Sequence, residues 1–489
     1  AGWTASRSKW QEDDKGKAPA PASPSPATPD AGISRSGSSD SGGKRASWKA
    51  GNRADSWIKG EGAAVAAAAA APAGSPAPPP VVRDADKPLS QLLSGEELEA
   101  LCAALPKLEL HAHLSGTVQE STLRALLLAQ GGDPTTSRFC LDAVSVSDSL
   151  KETWEQTVEA FATIRRLTAQ DVSVLQRIVM EAVELYAKDG CVYYEMRTGL
   201  KPLPDRRNFL SLLVAALKQA EGKHRCTVRL LVSVDRGASL EEAKETIDAA
   251  IEAYEAQNRM HQCIVGVEMG GNPLKGDWKE LEPHFERARA AGLKVSLHFA
   301  ENQGAEEEHK QILAFKPERV GHAVFMSEAI ASQLVHTGIP VEVCMTCHEA
   351  FYKVPFKSNV FGCLKHANHP AVLCCDNACL LRTSLSREYA VCLQTFALSA
   401  REVNDMVLRG VEAIFADDKT KARVAESCRT RLAAVFPILY GLPAEPKGGA
   451  LGGGKPPLPA PTSSLPTLAA AGAAILAAGA IVIAAKLRQ

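Results

Sequence analysis

Four short stretches of this chain end in residues that bind metals or move protons. Leu108-Glu-Leu-His-Ala-His-Leu-Ser-Gly116 sets His111 and His113 two residues apart at the end of an apolar run. In an extended strand such side chains point the same way, so one metal ion can accept both imidazoles. Val295-Ser-Leu-His298-Phe-Ala-Glu301 places a carboxylate three residues beyond a histidine, and Val320-Gly-His322 and Pro370-Ala-Val-Leu-Cys-Cys-Asp376-Asn377 follow. A lone histidine or aspartate after a strand is more often a satisfied polar group than a ligand. Here every member of the set stands at the C-terminal end of an apolar run. In a parallel barrel all such ends open on one face, where barrel active sites are built.

Strand-like apolar runs fall near Lys107–His113, Cys191–Arg197, Thr227–Val234, Ile264–Met269, Leu293–Phe299, Arg319–Ala323, Ile339–Cys344 and Ala371–Asp376. Helix-like stretches such as Asp171–Lys188, Leu240–Gln257 and Lys279–Ala291 lie between most of them, with Gly190 and Gly292 as breakers. Strand and helix alternating eight times predict an α/β fold, a (β/α)8 TIM-type barrel. Gln119–Leu128 and the long run to Lys188 predict a helical insertion after the first strand. Arg401–Leu439 predicts a helical tail packed against the barrel.

Further motifs are Phe161-Ala-Thr-Ile-Arg-Arg-Leu167, Tyr194-Glu-Met-Arg-Thr-Gly-Leu-Lys201, Val234-Asp-Arg236, Ala243-Lys-Glu-Thr246 and Thr383-Ser-Leu-Ser-Arg-Glu-Tyr389. Together with the four stretches above, they resemble in order, type and spacing the adenosine deaminase family of zinc-dependent purine deaminases, from Pro106 to Phe436. The resemblance is nearest to the family's N6-methyl-AMP deaminase branch. It implies one Zn2+ held by His111, His113, His298 and Asp376, three neutral imidazoles and a carboxylate that leave one position for water. Zinc brings the pKa of such a water toward neutrality. The resemblance also implies that Glu301 is the acid protonating the purine ring nitrogen, and that His322 orients and helps deprotonate the water. A carboxyl near an apolar wall can have its pKa raised enough to be protonated at work.

For the substrate, the resemblance implies a phosphate held by Arg165, Thr198, Gly199, Leu200 and Lys201, where Arg and Lys suit a phosphate dianion. Their bland reading is an ordinary solvated basic face. Asp235 matches a ribose-contacting position, Gly271 a backbone contact to the purine, and His113 and Ser115 complete the substrate wall. Ser115 stands where relatives often carry Asn or Asp, which shortens its reach. Asn377 replaces a second Asp of the family; it keeps a hydrogen-bond donor and loses the charge. Cys379, Leu380 and Leu381 depart from the family pattern as well. The expected reaction is hydrolysis of N6-methyl-AMP to IMP and methylamine. Two alternatives stand beside it: a deaminase of free adenosine, and a zinc- or nucleotide-binding scaffold of little activity.

Composition agrees with an enzyme carrying extra tails. The chain has 489 residues, 45% of them apolar, and a net charge of -1, which supports a large core and demands no nucleic acid. Residues 1–87 are rich in Ala, Pro, Ser and Gly and are expected to be disordered. Their patch of Lys44, Arg45, Lys49, Arg53 and Lys59 with Trp48 and Trp57 reads as a solvated linker before an RNA contact. Glu12, Asp13 and Asp14 argue against a transit peptide, and with Ala1 rather than Met in first place a preceding segment is expected. Residues 88–442 form the expected deaminase domain, 443–466 a Pro/Gly-rich linker, and 467–489 an apolar tail closed by Lys486 and Arg488. That tail reaches the lower length for a membrane anchor but consists mostly of Ala and Gly, so a tail anchor and a surface or low-complexity tail stand about equal. The thirteen cysteines follow no disulfide framework, which suits a reduced, cytoplasmic protein or one tethered to an intracellular membrane. Cys344-Met-Thr-Cys347-His348 has the form of a c-type haem motif. It closes an apolar strand, so no haem is expected. The partner expected is a small purine nucleotide bound to a monomer.

Overall fold

The computed structural model describes residues 79–133, 150–169, 171–201, 206–257 and 262–442. The readings made for residues 1–78, for the linker and for the apolar tail fall outside the described residues. Glu445–Gln489, a unit separate from Ala1–Ala444, lies wholly among them. No described helix is long and apolar enough to cross a membrane.

Eight parallel strands run in chain order: β1 Lys107–His113, β2 Cys191–Thr198, β3 Thr227–Asp235, β4 Ile264–Gly270, β5 Lys294–Phe299, β6 Arg319–His322, β7 Val341–Val343 and β8 Ala371–Leu373. β1 and β8 meet where His113 N donates to Asp376 O at 3.0 Å, beside a parallel bridge between Ala112 and Asp376. The expected (β/α)8 barrel is therefore the fold. β2 and β4 are buried along their whole length, as parallel strands covered on both faces must be. The helix Val172–Lys188 illustrates the outer layer. Asp171 caps it by accepting from Ser173 N and Val174 N, and Leu175, Ile178, Val179, Ala182, Val183 and Tyr186 recur at helical spacing on its buried face.

Three differences from the sequence reading have physical causes. β7 and β8 are shorter than their apolar runs, because the helix Met345–Tyr352 starts directly after Cys344, and Asp376 adopts φ 62°. The helical tail is not one run but Ala400–Glu412, Asp418–Val435 and a short Pro437–Tyr440 turn. Its first break enters the barrel floor: Ala413 O accepts from Arg319 Nη1 at 2.8 Å and Phe415 N donates to Glu195 Oε1 at 2.6 Å. The packed chain also begins ahead of residue 88, since Val82 and Ala85 are buried and Arg401 N donates to Ala85 O.

Candidate active site

β1 delivers His111 and His113, β5 delivers His298, and the turn after β8 delivers Asp376. The three imidazoles place a ring nitrogen each within 4.8 Å of the others. His113 Nε2 stands 3.2 Å from His298 Nε2 and 3.5 Å from Asp376 Oδ1, and His111 Nε2 stands 3.8 Å from that same oxygen. His111 Nε2 is buried without a hydrogen-bond partner. An orphaned buried nitrogen costs about 1–3 kcal/mol, and a cation at the centre satisfies it together with its neighbours. Carboxylates stand behind two of the ligands. Glu342 Oε2 lies 2.6 Å from His111 Nδ1 and Glu268 Oε2 lies 3.1 Å from His298 Nδ1, an arrangement that turns each Nε2 lone pair inward. The residues present fit a metal ion.

The electrostatics set two of the three imidazoles for a metal ion and leave His298 and Asp376 to be set by the ion itself. Burial, reinforced by Arg197, holds His111 well below the usual histidine pKa, and burial takes His113 down to about 3, so both are neutral donors of electron pairs. His298 resists burial because Glu301 and Glu268 face it, and it rises to about 9. Burial lifts Asp376 to about 7. A cation among these groups favours the ionised carboxylate and the neutral imidazole. Below the cluster, Glu342 also accepts from Arg319 Nε at 2.6 Å, Arg197 Nη2 at 2.8 Å and Ser296 Oγ at 2.9 Å, and Arg319 donates to Glu195 as well. Despite burial, the two guanidiniums keep Glu342 well below the carboxylate range.

Glu301 follows β5 and is buried. Burial raises its pKa, opposed by His298 and by the Tyr352 hydroxyl that donates to Oε1, while Oε2 has no hydrogen-bond partner. His322 Nε2 lies 3.6 Å from Glu301 Oε1. Burial and the surrounding imidazoles hold His322 well below its ordinary pKa. Ala300, His322, Ala323 and Asp376 all have positive φ, between 54° and 67°. Such strain at non-glycine residues costs about 1–3 kcal/mol each and gathers where a site dictates side-chain direction.

A cavity of about 500 Å³ opens on this face and is lined by Ser115, Arg165, Thr198, Gly199, Leu200, Lys201, Asp235, Gly271 and Asn377 together with His113, His298, Glu301, His322 and Asp376. Every site residue expected from the sequence is thus brought together, His111 alone lying behind the wall. Gly271 has φ 106°, and a Cβ there would meet Asp235 Oδ1 at 2.4 Å, so backbone reaches the cavity surface. Asn377 Nδ2 donates to Asp376 Oδ1 at 2.6 Å. Its amide fills the space beside Gly116, where a Cβ would stand 1.9 Å from Asn377 Oδ1. Lys201 is buried, its Nζ 3.4 Å from Thr168 Oγ1, and burial followed by the Arg165 charge takes its pKa down to about 8. Among the described residues no carboxylate pairs with Lys201 or Arg165.

Sequence reasoning missed Glu268, Glu342, Arg197, Tyr352, His348 and Asn359. Glu268 and Glu342 carried a usable signal, each being a lone carboxylate inside an otherwise apolar strand. The twelve described cysteines are all free, and Cys344 and Cys347 are buried beside the site, Cys344 at the start of the helix Met345–Tyr352 and Cys347 within it.

A parallel barrel that gathers three imidazoles, an aspartate and a buried glutamate at its strand ends defines a metal-dependent hydrolase site. The chain belongs to the adenosine deaminase family, which it matches over residues 106–431, and it is a hydrolytic deaminase acting on a C–N bond. It is 30% identical over 351 residues to N6-mAMP deaminase of Arabidopsis thaliana, covering 66% of this chain and 95% of that one. It is 31% identical over 338 residues to N6-methyl-AMP deaminase of Homo sapiens, covering 65% and 91%. The crystal structure of Arabidopsis ADAL complexed with IMP superposes with a TM-score of 0.61 at 30% identity, covering 68% of this chain and 98% of that one.

Proposed function

We propose that this protein hydrolyses the exocyclic C–N bond of a 6-aminopurine nucleotide, with N6-methyl-AMP giving IMP and methylamine. The observation that carries the nucleotide is the pair Arg165 and Lys201, two cations without a carboxylate partner among the described residues on the wall of the cavity that holds the metal-ligand cluster. Burying Lys201 uncompensated is costly, and a phosphate dianion offsets that cost with charge-assisted hydrogen bonds. The relatives named N6-methyl-AMP deaminase and the IMP complex support the same reading.

His111, His113, His298 and Asp376 would hold Zn2+, which supplies a Lewis acid and lowers the pKa of a water toward neutrality. Glu301, whose pKa burial raises, would offer a proton from Oε2 to the purine ring nitrogen next to the reacting carbon. His322, its Nε2 3.6 Å from Glu301 Oε1, would orient the attacking oxygen. Asn377 spends one N–H on Asp376 and keeps the other for a ring acceptor, and Gly271 offers backbone to the base. Asp235 at the cavity rim receives a ribose hydroxyl.

The test is ultraviolet absorbance of the zinc-loaded full chain with N6-methyl-AMP, AMP and adenosine in parallel, against Glu301→Gln. Turnover of the methylated nucleotide fastest, with a loss of about 10²–10⁴-fold in the variant, is expected for a removed general acid. Adenosine turned over faster than either nucleotide overturns the substrate assignment.

A further inference from the structure

Four imidazoles crowd this site, not three. The His322 ring centroid lies 4.5 Å from that of His111 and 5.0 Å from that of His298, close enough for His322 to join the metal ligands. Whether it does depends on which ring nitrogen carries the proton, because only the other one has a lone pair. That choice is made outside the cavity. Phe361 N donates to Asn359 Oδ1 at 3.0 Å, which fixes the Asn359 amide with Nδ2 turned to His348 Nδ1 at 2.9 Å. An amide NH2 only donates, so His348 Nδ1 accepts and the His348 proton sits on Nε2. His348 Nε2 lies 3.3 Å from His322 Nδ1, which therefore accepts in turn. The remaining His322 proton is on Nε2, the nitrogen that faces Glu301 and the cavity.

We propose that His348, held by Asn359, is a positioning residue that locks His322 as an Nε2–H donor. The lock keeps His322 out of the metal's coordination and sets it to donate a hydrogen bond to the attacking oxygen. With its one lone pair on Nδ1 spent on His348, His322 offers the cavity a donor, which differs from the expectation that it also takes a proton from the water. All three side chains are buried to within 2% exposure, so water does not compete for the chain of bonds. The motif Cys344-Met-Thr-Cys347-His348 thus finds its use in its last residue, carried on the first turns of the helix Met345–Tyr352. The inference rests on the role given to His322 above, and the experiment separates the two.

Three variants of the zinc-loaded full chain decide it: His348→Gln, which returns an N–H near the Nε2 position, His348→Leu, which returns none, and His322→Ala as reference. The expected result is that His348→Leu lowers kcat by at least about tenfold with KM nearly unchanged and one metal per chain retained, and that His348→Gln recovers most of the loss. Thermal midpoints show which variants are folded, and 15N-histidine spectra read the tautomer directly in any folded one. A His322 Nε2–H tautomer in the parent protein that is lost in His348→Leu supports the lock. A His322 proton on Nδ1 in the parent, or equal rates for His348→Leu and His348→Gln, overturns it. Full activity of His322→Ala with the tautomer as expected would leave the lock standing and remove the role of His322.

Discussion

Single residues at this site are read best through what they lack. Glu301 Oε2 and His111 Nε2 are buried without partners, and Lys201 has only a distant hydroxyl. Each absence names a ligand: a ring nitrogen, a metal ion and an anion. Lys201 makes the anion testable by pH. Its pKa is down at about 8, with burial the larger cause and Arg165 the smaller. Below pH 8 the free enzyme presents an ammonium; above it the proton leaves and attraction for a phosphate falls. KM for a purine nucleotide is expected to rise between pH 8 and 9.5 while KM for the nucleoside stays flat, and Lys201→Ala should remove the difference. Parallel pH profiles of the two substrates check this. The same depressed value has a stability sign: between pH 8 and the unfolded value near 10.5, the unfolded chain binds more protons, so this residue's contribution improves as pH rises through that window.

At the scale of elements, the strands do two jobs with alternate residues. Their upper ends carry the ligands, and their interiors carry the charges that aim them. Glu342 in β7 joins His111, Arg197, Ser296 and Arg319, four residues from four other strands. Removing one partner from a buried ionic network costs about 3–5 kcal/mol, and loss of a carboxylate behind a metal-bound imidazole weakens metal binding by about 10–100-fold. Glu342→Gln should therefore lose both stability and zinc affinity. Chemical unfolding and competition with a chelator measure the two separately, and a variant that changes only stability would deny Glu342 its part in aiming His111.

Two expectations concern the whole molecule. A metal that binds only the folded barrel stabilises it by about 2.7 kcal/mol at a hundredfold excess over its dissociation constant. Chelation should abolish turnover and lower the thermal midpoint, and zinc should restore both. The second concerns where the folded unit starts. Val82 is 1% exposed and Arg401 N donates to Ala85 O, so the stretch before Pro88 belongs to the packing of the helix Ala400–Glu412. A chain beginning at Pro79 is expected to exceed one beginning at Pro88 by about 1.5–3 kcal/mol, the burial of one aliphatic side chain. Their urea midpoints decide the matter, and equal midpoints would move the start of the folded unit to Pro88.

The sequence by itself determined the barrel, the order of its strands and the residues at their upper ends, because each of those is a local pattern. A strand declares itself by an apolar run, and a ligand by standing at that run's end. What only the tertiary structure decided are the partners. His111 and Glu342 are 231 residues apart, Glu301 and Tyr352 51, and the Phe415 contact that closes the floor joins Glu195 across 220. No periodicity encodes such pairs, since closing a ring of eight strands brings together residues whose only relation is their height along the barrel axis. The same holds for His348: its neighbours in sequence suggested a haem motif, and its neighbours in space, Asn359 and His322, give it a different task.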